Sequence, residues 1–245
     1  MLRFILLVVM VMATLTQTSL AQTLGTAQKA EIEALIRSYI LDNPEIIPEA
    51  MEILREKQTQ QAIVAAGPAL YSEIGAVLVG PKDASVTIVE FYDYQCGFCR
   101  KGLNDIERLL RNDKDVNVLF RQWPIRDNGT ATHSADSAIA ALAAGRQDGN
   151  FLKFHRALYE SPTRLTKDRI LQIAQSTGYD VRQLQRDMDD EDITQSIKQN
   201  FALARRLGLN GTPGYIIGDT LIPGAVGYSA LKQAVVAARD ARDKG

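Results

Sequence analysis

Residues 86–100 read Val86-Thr87-Ile88-Val89-Glu90-Phe91-Tyr92-Asp93-Tyr94-Gln95-Cys96-Gly97-Phe98-Cys99-Arg100, and Cys96 and Cys99 are the only cysteines in the chain. The first seven residues are β-branched, aromatic and nearly continuously apolar, the composition of a strand covered on both faces. The sequence after Cys99 suits a helix. A cysteine at the start of that helix meets unpaired N–H groups and the positive end of the helix dipole, both of which favour a thiolate over a thiol. Cys99 falls about one turn further in, where it can attack a mixed disulfide formed at Cys96. This spacing predicts a redox-active dithiol, with Cys96 facing solvent and Cys99 inside.

Other uses of the two cysteines are weaker. A purely structural disulfide across four residues restricts the unfolded chain little, because stabilisation grows with the size of the closed loop. A structural zinc site needs four ligands, and His133 and His155 lack ligand spacing. Two soft thiolates do suit copper(I), so that alternative stays open. Strand, C-x-x-C and helix together are the layout of a thioredoxin-like redox site, which needs no cofactor, and none is expected.

The run Glu90-Phe91-Tyr92-Asp93-Tyr94-Gln95-Cys96-Gly97-Phe98-Cys99 and the later Gly211-Thr212-Pro213 resemble, in that order, the active-site segment and cis-proline loop of the DsbA family of bacterial disulfide oxidoreductases. The resemblance spans roughly residue 67 to the C-terminus. It implies an α/β thioredoxin-like fold with a helical insertion, a nucleophile at Cys96, a resolving thiol at Cys99, and Glu90 buried beneath the pair as a proton relay. It also implies that Gly97, Phe98, Thr212 and Pro213 meet the substrate, with Pro213 cis and the Thr212 backbone free to pair with an extended segment.

Met1 to Ala21 begins with Arg3, continues through an apolar run from Phe4 to Met12, and ends in Ser19-Leu20-Ala21. This is the pattern of a cleaved secretory signal, and the run is too short to span a membrane, which takes about 20 residues. Export to the periplasm, with Gln22 as the mature start, is therefore expected, in a compartment where dithiols act on secreted proteins. Lys and Arg total 28 against 29 Asp and Glu; without a basic stripe interleaved with aromatics, nucleic acid is not an expected partner.

From Thr26 to Gln61 two amphipathic helices are expected. One carries Ile32, Leu35, Ile36, Tyr39 and Ile40; the second starts at Pro44 with Asn43 as N-cap and carries Ile46, Ile47, Ala50, Met51 and Leu54. Two such helices cannot enclose a core, so their stripes must be buried on something else: self-association of several chains is expected, with packing against the catalytic domain as the alternative. The segment, residues 22–66 with its linker, resembles the N-terminal extension of the ScsC-like branch of the DsbA family, which implies a homo-oligomer, dimer or trimer. Residues 62–83 hold Gly67-Pro68, Gly75 and Gly80-Pro81, and predict a linker and a first strand over 76–79. Residues 116–123 predict the next strand. From about 128 to 207 the periodicity is helical throughout, with Thr166 and Asp180 as N-caps. Strands over 215–217 and 220–222 flank Gly218-Asp219, and Ser229 is expected to cap a last helix.

The direction of exchange is read from neighbours of the cysteines. Strong oxidants of the family place a histidine beside the second cysteine; here Phe98 offers no hydrogen bond, and Gly97-Phe98 with Thr212 looks more like the disulfide isomerase DsbC. This implies a milder oxidant working as an isomerase or reductase on secreted proteins, kept reduced by a DsbD- or ScsB-like membrane reductase. A DsbA-type oxidase served by a DsbB-like membrane partner, and a copper(I)-binding protein of metal tolerance, are the alternatives. His133 and His155 are expected to be structural.

Overall fold

The structure is a computed structural model that describes residues 25–126 and 134–244. The expected signal segment and His133 lie outside the described residues. The chain divides between Leu54 and Arg55 into two compact units.

The first unit contains α1 (Thr26–Asp42) and the beginning of α2 (Ile46–Tyr71). Helix α1 has no buried residue. Its apolar stripe is open, with Leu35 69%, Ile36 53% and Tyr39 59% exposed, as is that of α2, with Met51 57% and Leu54 55% exposed. The expected start of the second helix needs correction. Asn43 caps the end of α1, its side-chain amide donating to the Tyr39 carbonyl at 2.9 Å. The chain then turns through Pro44 and Glu45, and α2 begins only at Ile46.

The second unit carries a five-stranded sheet of β1 (Ala76–Val79), β2 (Val86–Tyr92), β3 (Val116–Gln122), β4 (Gly214–Ile217) and β5 (Thr220–Pro223), in the order β1-β3-β2-β4-β5. Strands β2 and β3 are parallel and joined by α3 (Gly97–Asn112); the other pairings are antiparallel. Side chains alternate across a strand. Ile88 and Tyr92 of β2 enter one core with Cys96, Cys99, Leu103 and Ile106, while Val89 and Phe91 enter a second. Among the described residues five helices lie between β3 and β4: α4 (Ser134–Ala144), α5 (Phe151–Tyr159), α6 (Lys167–Thr177), α7 (Val181–Met188) and α8 (Glu191–Arg206). Thr166 and Asp180 cap α6 and α7 through their side chains, as expected. The chain closes with α9 (Tyr228–Asp243); its N-cap is Gly227, φ 88°, not Ser229. Among the described residues no helix is long and apolar enough to cross a membrane.

The stretch expected to be a linker from residue 62 is helix. Helix α2 continues to Ala66, breaks at Gly67 (φ 45°, ψ −129°), a conformation that side-chain-bearing residues rarely adopt, and resumes from Pro68 to Tyr71. Burial explains the extension: Ile63, Ala66 and Leu70 fill the second core beside Phe91, Leu119 and Trp123. The end of α2 is held by a guanidinium. Arg121 of β3, 2% exposed, donates to the carbonyls of Ala69, Leu70, Ser72 and Ile74 and to Asn200 Oδ1 at 2.6 to 3.1 Å. A cation at a helix C-terminus answers both its unpaired carbonyls and its dipole. Arg121→Met should leave these buried carbonyls unpaired and cost about 3 kcal/mol. Urea unfolding of the two proteins side by side would measure this; equal midpoints would show the network to be energetically neutral.

Candidate active site

The end of β2, the start of α3 and the loop before β4 meet around the two cysteines, both of them free thiols. Cys96 is the N-cap of α3, with extended backbone (φ −89°, ψ 115°). The turn that delivers it is built by Asp93, which is 2% exposed. One carboxylate oxygen of Asp93 accepts from the Gln95 N–H at 2.8 Å and from the Ser134 hydroxyl at 2.5 Å, and the other accepts from the Arg126 N–H at 2.8 Å. The Asp93 carbonyl accepts from the Cys96 N–H at 3.0 Å. Asp93 therefore fastens the cysteine turn to the chain after β3 and to the first inserted helix. Sequence reasoning missed it; the available signal was an aspartate two residues before Gln95 at a strand end, the spacing of an Asx-turn.

Cys96 is only 1% exposed, against the expectation of a solvent-facing thiol; its neighbour Phe98 is 58% exposed and Cys99 is 1% exposed. Space around Gly97 is open, and Lys101 Nζ sits 5.6 Å from the centre of the Phe98 ring. The two buried sulfurs have opposite proton affinities. Cys96 is lowered to about 4, first by a hydrogen bond from the Cys99 side chain, then by the Thr212 side chain and the N–H groups of Cys99 and Phe98, against the opposing effect of burial. The Cys99 thiol is pushed far up, mainly by burial, and further by donating to Cys96 and by the charge of Glu90. The thiolate thus needs no histidine at position 98: the helix start, the second cysteine and Thr212 hold it.

Thr212-Pro213 is a cis peptide. The Thr212 backbone is not wholly free for a substrate, since its carbonyl lies 3.2 Å from Cys96 Sγ. Glu90 is 3% exposed. Burial foremost, and then the charge at Cys96, raise its carboxyl to about 8, while Tyr215 pulls the other way. The structure therefore brings Cys96, Cys99, Glu90, Thr212 and Pro213 into one cluster, with Gly97 and Phe98 on the open side. His155 is 1% exposed, lowered to about 3 by burial, and so neutral. Its Nδ1 lies 2.7 Å from the Tyr94 hydroxyl, at the end of a buried chain from Gln122 through Tyr92 to Tyr94. Among the described residues no group of three His, Cys, Asp or Glu side chains could hold a metal ion.

Comparison with known proteins agrees with this geometry. Residues 87–236 match the family described as DSBA-like thioredoxin domain, and residues 28–61 match the copper resistance protein ScsC N-terminal domain. A linker-deletion mutant of ScsC from Proteus mirabilis superposes with a TM-score of 0.72 at 30% identity, covering 91% of this chain and 99% of that one. A thioredoxin-like oxidoreductase from Silicibacter pomeroyi DSS-3 superposes with a TM-score of 0.65 at 39% identity, over 71% of this chain and 98% of that one. Among curated relatives, a Na(+)/H(+) antiporter NhaA 3 of Salinispora tropica is 26% identical over 160 residues, 65% of this chain but only 24% of the antiporter's length.

Thr212→Val removes the hydroxyl that faces Cys96 while keeping the side-chain shape. The Cys96 thiolate should then titrate upward from about 4, by roughly one pH unit for one lost hydrogen bond to a charge. Since a depressed thiol pKa stabilises the reduced fold only above that pKa, the variant should also lose stability of its reduced form near neutral pH. Ultraviolet absorbance of the thiolate against pH would show the shift; superimposable curves would leave Thr212 without a hold on the sulfur.

Proposed function

The chain belongs to the DsbA family of thiol-disulfide oxidoreductases, with a ScsC-type N-terminal domain, and from that premise we propose that it is an oligomeric periplasmic disulfide isomerase or reductase acting on secreted proteins. The observation that carries the chemistry is the split between the two sulfurs: a Cys96 thiolate ready to attack, and a Cys99 thiol that must first lose a proton. Cys96 S⁻ attacks a substrate disulfide; a Cys96–substrate bond forms and the substrate's other sulfur leaves as thiolate. For isomerisation that thiolate, or another in the substrate, attacks back and frees Cys96. For reduction, Cys99 passes its proton to the Glu90 carboxylate and attacks Cys96 Sγ, closing the Cys96–Cys99 disulfide and releasing the substrate as a thiolate. A membrane reductase then returns two electrons to the pair.

A held thiolate stabilises the reduced dithiol, which is the form an isomerase must rest in. The same property makes the disulfide form oxidising, so a DsbA-type oxidase is the second reading. The open stripes of α1 and α2 favour the first. They match in position the ScsC N-terminal domain, and covering them with other copies of the chain would gather several dithiols around one misfolded substrate. Copper(I) binding at the same thiolates would require Cys99 to give up a strongly held proton.

Two measurements test this. In the full chain, Cys99→Ala should accumulate Cys96–substrate disulfides, while Cys96→Ala should trap nothing; the reverse pattern would overturn the assignment. Deletion of residues 22–54, which spares the buried Ile63, Ala66 and Leu70, should yield a folded monomer that keeps dithiol exchange but loses most of its ability to rescue a scrambled substrate. A full-length protein that sediments as a monomer, or a truncation with undiminished rescue, would sink the oligomeric isomerase.

A further inference from the structure

Gly102 stands in the middle of α3, on its buried face. A glycine inside a helix is markedly less favourable than alanine, so a packing reason is expected. The reason is one oxygen atom. A Cβ built on Gly102 would collide with the hydroxyl oxygen of Tyr215, yet would keep 3.8 Å from the ring carbon Cζ that bears it and 4.0 Å from Pro213 Cγ. The space at Gly102 is shaped for a tyrosine; a phenylalanine at position 215 would not need it.

Tyr215 lies on β4 directly opposite Glu90 of β2 in the antiparallel register, so both side chains stand on the sheet face that α3 covers. Tyr215 is 0% exposed. Among the described residues its hydroxyl has no hydrogen-bond partner, a costly state for a buried polar group. It stands across the strand pair from the Glu90 carboxyl, where its effect opposes that of burial. The other ionisable groups acting on the pair are Cys96 at the N-cap of α3, Cys99 and Asp105 within it, Tyr92 at the end of β2, Tyr94 just after it and Tyr159 of α5. Burial pushes the Tyr215 hydroxyl far up, so it stays protonated and can only donate to a carboxylate.

We propose that Tyr215 is a positioning residue for Glu90, its hydroxyl admitted by the missing side chain of Gly102 and donating to the carboxylate that accepts the Cys99 proton. This rests on the dithiol exchange proposed above and deepens it. The proton of Tyr215 is never transferred. It stabilises the charged form of Glu90, so that the carboxylate exists at the pH where Cys99 must be deprotonated. Cys99 S–H and Glu90 carboxylate become Cys99 thiolate and Glu90 carboxylic acid; the thiolate then displaces the substrate sulfur from Cys96.

The test uses the full chain, reduced, mixed rapidly with oxidised glutathione across a pH series. Formation of the Cys96–glutathione disulfide and its resolution by Cys99 are followed separately. With Tyr215→Phe the Glu90 carboxyl should titrate higher, so the acid-side midpoint of the resolution step should move up by about one pH unit, and resolution below it should slow about tenfold. The infrared band of the protonated Glu90 carboxyl, identified by its loss in Glu90→Gln, should persist to correspondingly higher pH. Gly102→Ala should shift the profile in the same direction in the parent chain and change nothing further when added to Tyr215→Phe, because the oxygen it collides with is gone. Resolution profiles of parent and Tyr215→Phe that superimpose, or equal shifts from Gly102→Ala in both backgrounds, would overturn the inference while leaving the dithiol reading intact. If Tyr215→Phe fails to fold, an unshifted Gly102→Ala profile overturns it alone. Absence of any Cys96–glutathione adduct in the parent chain would instead overturn the function on which it rests.

Discussion

One carboxyl and two sulfurs share a single desolvated layer under the start of α3, and the low dielectric there does not tolerate three negative charges. Each charge raises the proton affinity of the others, since at short range in a poorly polarisable medium repulsion is weakly screened. The fold places the charge it does keep at Cys96, where backbone N–H groups of α3, the Cys99 thiol and the Thr212 side chain converge. Burial above all, and the neighbouring Cys96 sulfur in addition, make Glu90 and Cys99 hold their protons more tightly. Strand register, the helix N-terminus and the cis-proline loop are the means by which this ordering is maintained.

The layer is deep because the sheet is covered on both faces. Tyr92, Tyr94, Tyr159 and His155 close it from the side of the inserted helices, and their contacts are edge-on and tilted aromatic ones, with ring centres 4.9 to 6.3 Å apart. Within that cluster the polar groups form a chain. The Gln122 amide donates to Tyr92 and Tyr92 to Tyr94, whose hydroxyl pairs with Nδ1 of a neutral His155. The cluster's one basic side chain, His155, is neutral, so the cluster itself adds no positive charge beside the thiolate.

Much of this was legible in the sequence because the signals were local. The apolar run before Cys96, the caps Thr166 and Asp180, and the turn at Gly218-Asp219 act within a few residues, and the corresponding elements formed where expected. What was misread depended on partners distant in sequence. Gly67-Pro68 signals a break, and a break exists, but the helix reaches it because Ile63 and Ala66 bury against strands that follow it. Cys96 was expected in the open and is covered, since a neighbour more than a hundred residues away lies against it. Arg121 appeared only as a charge within an apolar strand, Val116-Asn117-Val118-Leu119-Phe120-Arg121, and such an inconsistency is itself the signal that a buried network surrounds it. Tyr215 and Gly102 offered even less: an ordinary strand tyrosine and a helix glycine whose connection exists only in space.

The capped end of α2 bears on how the protein comes apart. A helix that ends in water frays from its last turn, and its amides exchange hydrogen with solvent at little free-energy cost. Here the last carbonyls of α2 are bound to a guanidinium carried by β3, next to the central strand, and Asn200 of α8 ties the same guanidinium to the Gln122 and Gly75 carbonyls. The final turns of α2 can therefore open only when the sheet opens. The cooperative unit that contains the active site thus begins within α2, at the turns that flank the Gly67 break, and slow-exchanging amides would mark that boundary.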